Sequence, residues 1–468
     1  MKRLGIVLAA LGCMLCAVDS FAAPSSLSKP EVIKGKKNDI YRYTLKNGIP
    51  VYFIENTENS IDQVSIVVKG GRANLKPEQS GLENALFSMM SKSSSKYGYE
   101  KRLQMTYEKS SAIFHEESNA CSTLSVECIN RYMDEMLSML IDSFMHPAFT
   151  KPVYDVMMTE FAQNIQQVMN QPWLLLQNTI DDVAYKGTSY EARCEPTAET
   201  LGNITIEAMK DWHKKVLDSR KIMVFAITSM DPAAFIKKLD SSLGTIKAGS
   251  SELFDRSTLT LPSVSGSPVV LTHPASAGSG YAVRIFNTPS ISDADFAAAN
   301  LASSIYSKTE YNVVRTKYGS CYTPGSVSMS SELGLGFEYL YMISNMTEFA
   351  GFMKEARDIM ASGKYVDKLN ENGSYEFSTI ESVLEGAKNS MINTIYASTT
   401  KTSGRLGLYV SALVNFGDIT AYETMVDRIH AVTASDILRV FKKYWVDQSG
   451  RWIAVVGPEF ESVISFEE

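Results

Sequence analysis

Histidine is a frequent ligand of catalytic metals, and its spacing decides whether a short segment can bind one. Two histidines at positions i and i+4 of a helix lie one above the other and can bind a single zinc ion. No two histidines of this chain stand at that spacing. The sequence therefore offers no local histidine pair for zinc, and its five histidines are His115, His146, His213, His273 and His430.

A looser set of ligand-type residues is His115, Cys121 and Cys128, which fall in a predicted β-hairpin. Three mixed ligands at such spacing are more often core or surface residues than a metal centre. An unconventional metal site is therefore the least favoured hypothesis. Beyond residue 22 the chain also contains Cys194 and Cys321. Four cysteines allow three disulfide pairings, and buried free thiols are equally compatible with the sequence.

The charge balance excludes one large class of functions. The 468 residues include 45 basic and 52 acidic side chains, which gives a net charge of −7 without any long basic run. Binding to nucleic acid through its phosphates needs a clustered positive patch, so it is not expected here. The length exceeds what a single hydrophobic core usually supports, and two or more domains are expected.

The N-terminus has the layout of a secretory signal peptide over residues 1–22. A basic start precedes an apolar run over residues 4–18, and small residues stand at −3 and −1 of a cleavage point after residue 22. We expect an exported protein and favour the periplasm, with secretion or lipid anchoring through Cys13 or Cys16 as alternatives. No later segment is apolar for long enough to span a membrane.

The N-terminal half alternates between strand-like and helix-like patterns. Asn47-Gly48 between two β-rich runs predicts a hairpin. Residues 79–92 then switch to helical spacing, with apolar residues at i, i+3, i+4, i+7 and i+8 from Leu82. Further along, the patterns predict strands at 111–117, 120–127 and 221–228, and helices at 129–144, 152–170 and 205–217.

The ends of the two halves resemble each other, which indicates a duplication. Residues 204–232 and 432–458 share a helix followed by an apolar strand, and Thr205 matches Thr433. Chance similarity of one helix–strand unit is the alternative. We predict an α+β fold of two homologous domains, each an antiparallel-rich β-sheet packed with helices. The predicted N-terminal domain is 31–245, the Ser- and Thr-rich linker is 246–267 and the C-terminal domain is 268–468.

The order of the first elements resembles the N-terminal domain of the pitrilysin/insulinase-type metallopeptidases, which are inverted zincins. The segments that carry the resemblance are LKNGIPVYFIE, VSIVVKGG and SGLENALFSMMSKSS. In that family the helix carries the motif H-x-x-E-H, whose histidines bind zinc and whose glutamate acts as general base. A glutamate on a later helix is the third protein ligand of the metal.

This chain departs from the motif at every functional position. The two histidines fall on Asn84 and Ser88, the catalytic glutamate on Phe87, and the later glutamate near Asn164. Asparagine and serine are poor zinc ligands, and phenylalanine can neither accept nor donate a proton. The resemblance therefore implies a non-catalytic member, a pseudoenzyme with a degenerate zinc site, no catalytic residue of its own and no zinc cofactor.

A second family feature is kept in the C-terminal half. The family's second domain has a helix that ends in R-x-x-x-G-x-x-Y, and Arg315, Gly319 and Tyr322 match it. Gly319 suits a helix C-terminus that needs a positive φ. In active relatives this arginine and tyrosine bind the backbone of the peptide, so the resemblance implies substrate binding by Arg315 and Tyr322. Taken singly, a solvated charge and a half-buried strand aromatic are the alternatives.

These features lead to one functional hypothesis and one alternative from another class. The resemblance implies an exported, zinc-free subunit that pairs with a zinc-bearing homologous subunit and contributes Arg315 and Tyr322 to binding of a peptide substrate. The alternative is a catalytically inert binding or assembly protein of the same fold, such as a homodimer like the core subunits of respiratory complex III. Whether the chain forms a heterodimer or a homodimer stays open at this stage.

Overall fold

The computed structural model describes residues 29–250 and 252–468. The predicted signal peptide and the two cysteines within it lie outside the described residues. No helix in the described part of the chain has the length and apolar character needed to cross a bilayer.

The N-terminal half folds around one large sheet. The hairpin predicted at Asn47-Gly48 is present, and Gly48 has a φ of 89° that glycine adopts easily. The strands are β1 (Glu31–Lys34), β2 (Asp39–Thr44), β3 (Pro50–Glu55), β4 (Ile61–Lys69), β5 (Ala112–Glu117), β6 (Cys121–Ile129) and β7 (Ile222–Thr228). The helices are α1 (Leu82–Lys92), α2 (Tyr99–Glu108), α3 (Met133–Met145), α4 (Lys151–Asn170), α5 (Pro172–Ala184), α6 (Ile206–Val216) and α7 (Pro232–Ser242).

The C-terminal half repeats the plan with a smaller sheet and an additional hairpin. Between the halves, the described residues 246–250 and 252–267 contain one short 3-10 helix and no strand. The strands are β8 (Val269–Thr272), β9 (Gly280–Asn287), β10 (Cys321–Ser328), β11 (Leu335–Ile343), β12 (Lys364–Leu369), β13 (Tyr375–Thr379) and β14 (Arg451–Val456). The helices are α8 (Phe296–Glu310), α9 (Phe349–Ala361), α10 (Ile380–Ser398), α11 (Thr402–Phe416), α12 (Ala421–Ala431) and α13 (Ala434–Phe441).

The strand order of the two sheets shows the duplication directly. The first sheet runs β1-β2-β3-β7-β4-β6-β5, and the second runs β10-β11-β9-β14-β8. Read from the opposite edge, the second sheet matches the β3-β7-β4-β6-β5 part of the first. In both, the helix-then-strand unit at the end of the domain forms the one parallel pair, β3 with β7 and β8 with β14, whereas the other pairs are antiparallel.

Matching residues also have the same structural role in the helix–strand units that end the two halves. The Thr205 hydroxyl accepts a hydrogen bond from the Ala208 amide at the start of α6, and Thr433 accepts one from the Asp436 amide at the start of α13. Threonine is a favoured residue at a helix start because its oxygen binds an amide that the helix leaves without a partner. The Thr205–Thr433 match in the sequence therefore reflects a shared structural role.

Each sheet buries one face under its own helices and the other under a helix of the opposite half. The core of the first domain lies between its sheet and α1, α3, α4, α6 and α7. The outer face of that sheet packs against α11 of the second domain, and the outer face of the second sheet packs against α5 of the first. The two domains are thus joined by reciprocal helix packing, and the predicted linker is not the only connection between them.

The four described cysteines are free thiols, and no disulfide joins any of them. Burial raises the pKa of the Cys121 thiol to about 11, and those of Cys128, Cys194 and Cys321 to about 12. Of the alternatives that the sequence left open, the structure has free thiols with little thiolate character, which are buried except for the half-buried Cys194.

Candidate functional site

The degenerate zinc motif lies on α1, which is buried along most of its length. Asn84 is buried, and its side-chain amide donates a 2.9 Å hydrogen bond to Glu195 Oε1. Phe87 is fully buried within the hydrophobic core of the first domain. Ser88 is also buried. The position that the sequence analysis assigns to the family's general base is thus filled by a packed aromatic ring.

Glu83 immediately precedes the motif position Asn84, and its hydrogen bonds hold α1 against the neighbouring elements. Its carboxylate accepts a hydrogen bond from the Ser122 hydroxyl on β6 and a 2.9 Å bond from Trp212 Nε1 on α6. The side chain is only 2% exposed. Burial raises the pKa of Glu83 to about 7, against the lowering effect of the two donors. Glu83 therefore fixes the orientation of the helix that presents Asn84.

Asn84 opens onto a cavity of about 640 Å³ around edge strand β5. Two residues of that strand meet there, with His115 Nδ1 3.0 Å from Glu117 Oε1. Glu195 enters from the segment after α5 and completes the polar wall. The cavity is bounded on its far side by α11 of the second domain, through residues such as Ser403, Leu406, Gly407, Val410 and Ser411.

Glu195 is the electrostatically unusual member of this wall. Partial desolvation raises its pKa although part of the residue stays open to solvent, and the negative charge of Glu117 raises it further. His115, Arg193 and the Asn84 amide act in the opposite direction. The site therefore combines two carboxylates, one imidazole and one amide within hydrogen-bonding reach of a solvent-filled space.

Asn164, the predicted position of the later glutamate, is exposed on α4. It lines a second cavity, of about 520 Å³, which Glu195 also borders. Glu195 thus lies between the positions of the first and the last predicted ligands. Sequence reasoning did not single it out, because its role arises from contact with Asn84, 111 residues away in the chain.

These residues do not fit the zinc ion that the family's motif holds. The Asn84 amide nitrogen is a donor engaged with Glu195, Phe87 has no lone pair, and Ser88 is a neutral hydroxyl. Among the residues that the structure describes, no three His, Cys, Asp or Glu side chains come together in an arrangement able to hold a metal ion. His115, Cys121 and Cys128 do not form one, since Cys128 belongs to the inner core and Cys121 to the outer face of the sheet.

Arg315 and Tyr322 are brought together in the second domain, as their joint spacing required. The chain continues from α8 into a π-helical segment, Tyr311–Lys317, and reverses at Gly319 with a φ of 58° before β10 begins. The Arg315 guanidinium lies 4.6 Å from the centre of the Tyr322 ring. Tyr322 is 60% exposed. The guanidinium also lies 5.0 Å from the centre of the Tyr311 ring, so Arg315 makes cation–π contacts with two tyrosines.

The hairpin β12–β13 braces the segment that carries Arg315. Asn312 donates hydrogen bonds of 2.7 and 2.9 Å to the carbonyl oxygens of Val366 and Asp367 on β12. A second brace is centred on Glu355 of α9, which accepts hydrogen bonds from Lys317, Tyr318 and Tyr375. Neither Arg315 nor Tyr322 lines the cavity at the degenerate zinc motif. The Arg315–Tyr322 pair and the predicted motif positions thus lie on separate surfaces of this chain.

Comparison with known proteins agrees with the architecture. A family model described as Insulinase (Peptidase family M16) matches residues 51–197, and one described as Peptidase M16 inactive domain matches residues 203–364. No curated protein sequence matches the chain.

Several solved structures share the fold. A protease from Helicobacter pylori has a TM-score of 0.75 at 13% identity, covering 91% of this chain and 99% of its own. A peptidase M16 inactive domain from Pseudomonas fluorescens has a TM-score of 0.73 at 13% identity, covering 89% and 98%. The periplasmic protease PqqL from Escherichia coli has a TM-score of 0.73 at 13% identity, and the match covers 98% of this chain but 49% of PqqL. With both halves matched by models of one family and the duplicated fold in place, the chain belongs to the insulinase-type M16 peptidase family.

Proposed function

We propose that this chain is an exported, zinc-free subunit of a heterodimeric peptidase, in which a homologous partner holds the zinc. The observation that carries the proposal is the contrast between its two sites. The motif helix has Asn84, Phe87 and Ser88 where ligands and base would stand, whereas Arg315 is half-buried and contacts the exposed Tyr322. A chain that has lost the metal but keeps a peptide-binding pair is suited to act on a peptide held by a second subunit.

The length of one relative supports a two-subunit assembly. The match covers 98% of this chain and 49% of PqqL, so PqqL is about twice as long as the matched part. A pair of separate chains of this size would have a similar total length. In such an assembly the partner's zinc would supply the hydrolytic chemistry, and this chain would bind and orient the peptide.

The peptide-binding role of the pair follows from its position. Tyr322 lies on β10, which is the edge strand of its sheet. An extended peptide can add to such an edge through backbone hydrogen bonds. The Arg315 guanidinium and the Tyr322 hydroxyl would then donate to carbonyl oxygens of that peptide, because both side chains carry donors suited to a carbonyl.

Export to the periplasm is part of the same proposal. Its basis is the predicted signal peptide at residues 1–22, and PqqL, which shares the fold, is described as periplasmic. The alternative function, an inert assembly protein that forms a homodimer, shares the fold and differs in its partner.

The test is to express the mature chain alone and together with the homologue whose reading frame encodes an intact H-x-x-E-H motif. We expect a stable one-to-one complex, with zinc in stoichiometric amount in the complex and absent from this chain when it is purified alone. A homodimer of this chain that does not bind the homologue would favour the alternative function, an inert assembly protein. Stoichiometric zinc in the isolated chain would show that the assignment of Asn84 and Ser88 is wrong.

A further inference from the structure

Two lysines stand directly opposite each other on neighbouring strands of the first sheet. Lys69 is the last residue of β4, and Lys221 immediately precedes β7. The adjacent pair in the ladder is Val68 with Ile222, and the Lys69 amide donates a 2.9 Å hydrogen bond to the Lys221 carbonyl. Like charges directly across a sheet repel each other. The arrangement is therefore unfavourable unless a negative group lies near both side chains.

Lys221 is the more buried of the two lysines, since only 8% of the residue is exposed. Within residues 29–250 and 252–468, its ammonium group has no hydrogen bond and no carboxylate within 4 Å. Asp218 and Glu83 act on it at longer range, but Asp218 is held by Arg220 at 2.6 Å and Glu83 by Ser122 and Trp212. Most of the Lys221 side chain is therefore buried, whereas its ammonium nitrogen is not among the fully buried atoms that lack a partner. The charge is thus able to meet an anion in the cavity that Lys221 lines.

Lys69, Lys221 and the neighbouring Arg220 line one side of a cavity of about 170 Å³. Glu332 also borders it and accepts a hydrogen bond from the Tyr190 hydroxyl. The opposite side of the cavity is apolar. It is formed by both domains and by the connecting segment, through Met223, Leu253, Phe254, Leu413 and Val414.

We propose that this cavity binds a small carboxylate with a short apolar group, such as the C-terminal residue of a peptide. The ammonium groups of Lys221 and Lys69 would receive the carboxylate, and the apolar wall would receive the side chain. The volume is below the roughly 300 Å³ at which pockets for drug-sized ligands begin, which excludes nucleotides and other large anions. The site is separate from the degenerate zinc motif and from Arg315, so it does not depend on the proposed function.

The test is calorimetric titration of the mature chain with N-acetyl-leucine, using the uncharged N-acetyl-leucinamide as the matched ligand. We expect saturable binding of the acid at one site, and affinity at least about tenfold weaker for the amide, because a hydrogen bond to a charged group is lost. Inorganic phosphate shares the charge but has no apolar group, and it should also bind at least about tenfold more weakly.

Two variants separate the site from unspecific binding. Lys221→Met should weaken binding of N-acetyl-leucine about tenfold or more, because the charged donor is lost. The melting temperature should stay equal or rise, because the mostly buried side chain is replaced by an apolar one of similar length. Lys69 is exposed, so Lys69→Met should fold normally and is expected to weaken binding of N-acetyl-leucine several-fold. This variant tests the proposal if Lys221→Met does not fold. The proposal is overturned if the acid does not bind, if acid and amide bind equally, if phosphate binds as well as the acid, or if the folded lysine variants keep full affinity.

Discussion

Replacing Glu83 with glutamine should remove a pH dependence from the stability of the first domain. Glu83 is almost fully buried next to the degenerate motif, and it accepts hydrogen bonds from Ser122 and Trp212. Glutamine has the same shape. Its oxygen can accept from Trp212, and its amide can donate to the Ser122 hydroxyl, which is able to accept as well. The substitution therefore changes the titration and preserves most of the packing.

The expected magnitude follows from the shift in the pKa of Glu83. Its pKa is about 7 in the folded chain, compared with 4.5 for the unperturbed group. Between these values the folded state binds more protons than the unfolded state, so the free energy of unfolding falls as pH rises. One pKa unit corresponds to about 1.4 kcal/mol, and the loss from pH 4.5 to above pH 7 should be about 3 kcal/mol. Below pH 4.5 this contribution to stability is fully present.

The assay is urea unfolding of the wild-type chain and of Glu83→Gln between pH 4 and 8.5, followed by tryptophan fluorescence. The wild-type chain should lose about 3 kcal/mol relative to the variant as pH rises through 7, with no further change above pH 8. Glu78→Gln, which alters an exposed carboxylate just before α1, is the matched control and should follow the wild type. A difference between wild type and Glu83→Gln that stays constant with pH would refute the reasoning.

Three further predictions concern the second domain and the thiols. Glu338→Ala should destabilise the chain by about 3–5 kcal/mol in urea unfolding, because the buried guanidiniums of Arg284 and Arg357 lose their fully buried carboxylate and keep only the more exposed Glu468. The exposed pair of Lys368 and Glu376 is the control, and Glu376→Ala should cost less than about 1 kcal/mol. Asn312→Leu should loosen the Arg315 segment from β12, seen as faster amide exchange over residues 311–317, whereas unchanged exchange would contradict the bracing role. Iodoacetamide at pH 8 should label Cys121, Cys128, Cys194 and Cys321 slowly in the native chain and completely after unfolding, and incomplete labelling of the unfolded, unreduced chain would indicate disulfides.

The sequence predicts the repeated parts of the fold well, because their signals are local. The Asn47-Gly48 hairpin, the helix of the degenerate motif and the Thr205 and Thr433 helix starts all depend on residues close together in the chain. Gly319 behaves in the same way, since a positive φ at a helix end is a local requirement. These are the places where pattern and structure agree to within a few residues.

The parts that sequence reasoning missed depend on tertiary contacts or on an overlooked turn. The amphipathic pattern of α5 does not reveal that it covers the sheet of the other domain. Glu195 lies in an irregular segment, and only its contact with Asn84 makes it part of the site. The hairpin β12–β13 does have a signal in the sequence, the dipeptide Asn372-Gly373 between its two strands. This dipeptide has the same turn chemistry as Asn47-Gly48, and Gly373 has a φ of 80°.

The most direct test of the central claim is peptide hydrolysis by the reconstituted pair of this chain and its zinc-bearing homologue. We predict that neither subunit alone cleaves the peptide at an appreciable rate, that the pair does, and that Arg315→Ala in this chain lowers kcat/KM at least about tenfold, as expected for a lost charged hydrogen bond. Tyr322→Phe, which keeps the ring beside Arg315 and removes the hydroxyl, should give a smaller loss of the same kind. Full activity of the homologue alone, or of the pair with Arg315→Ala, would contradict the account.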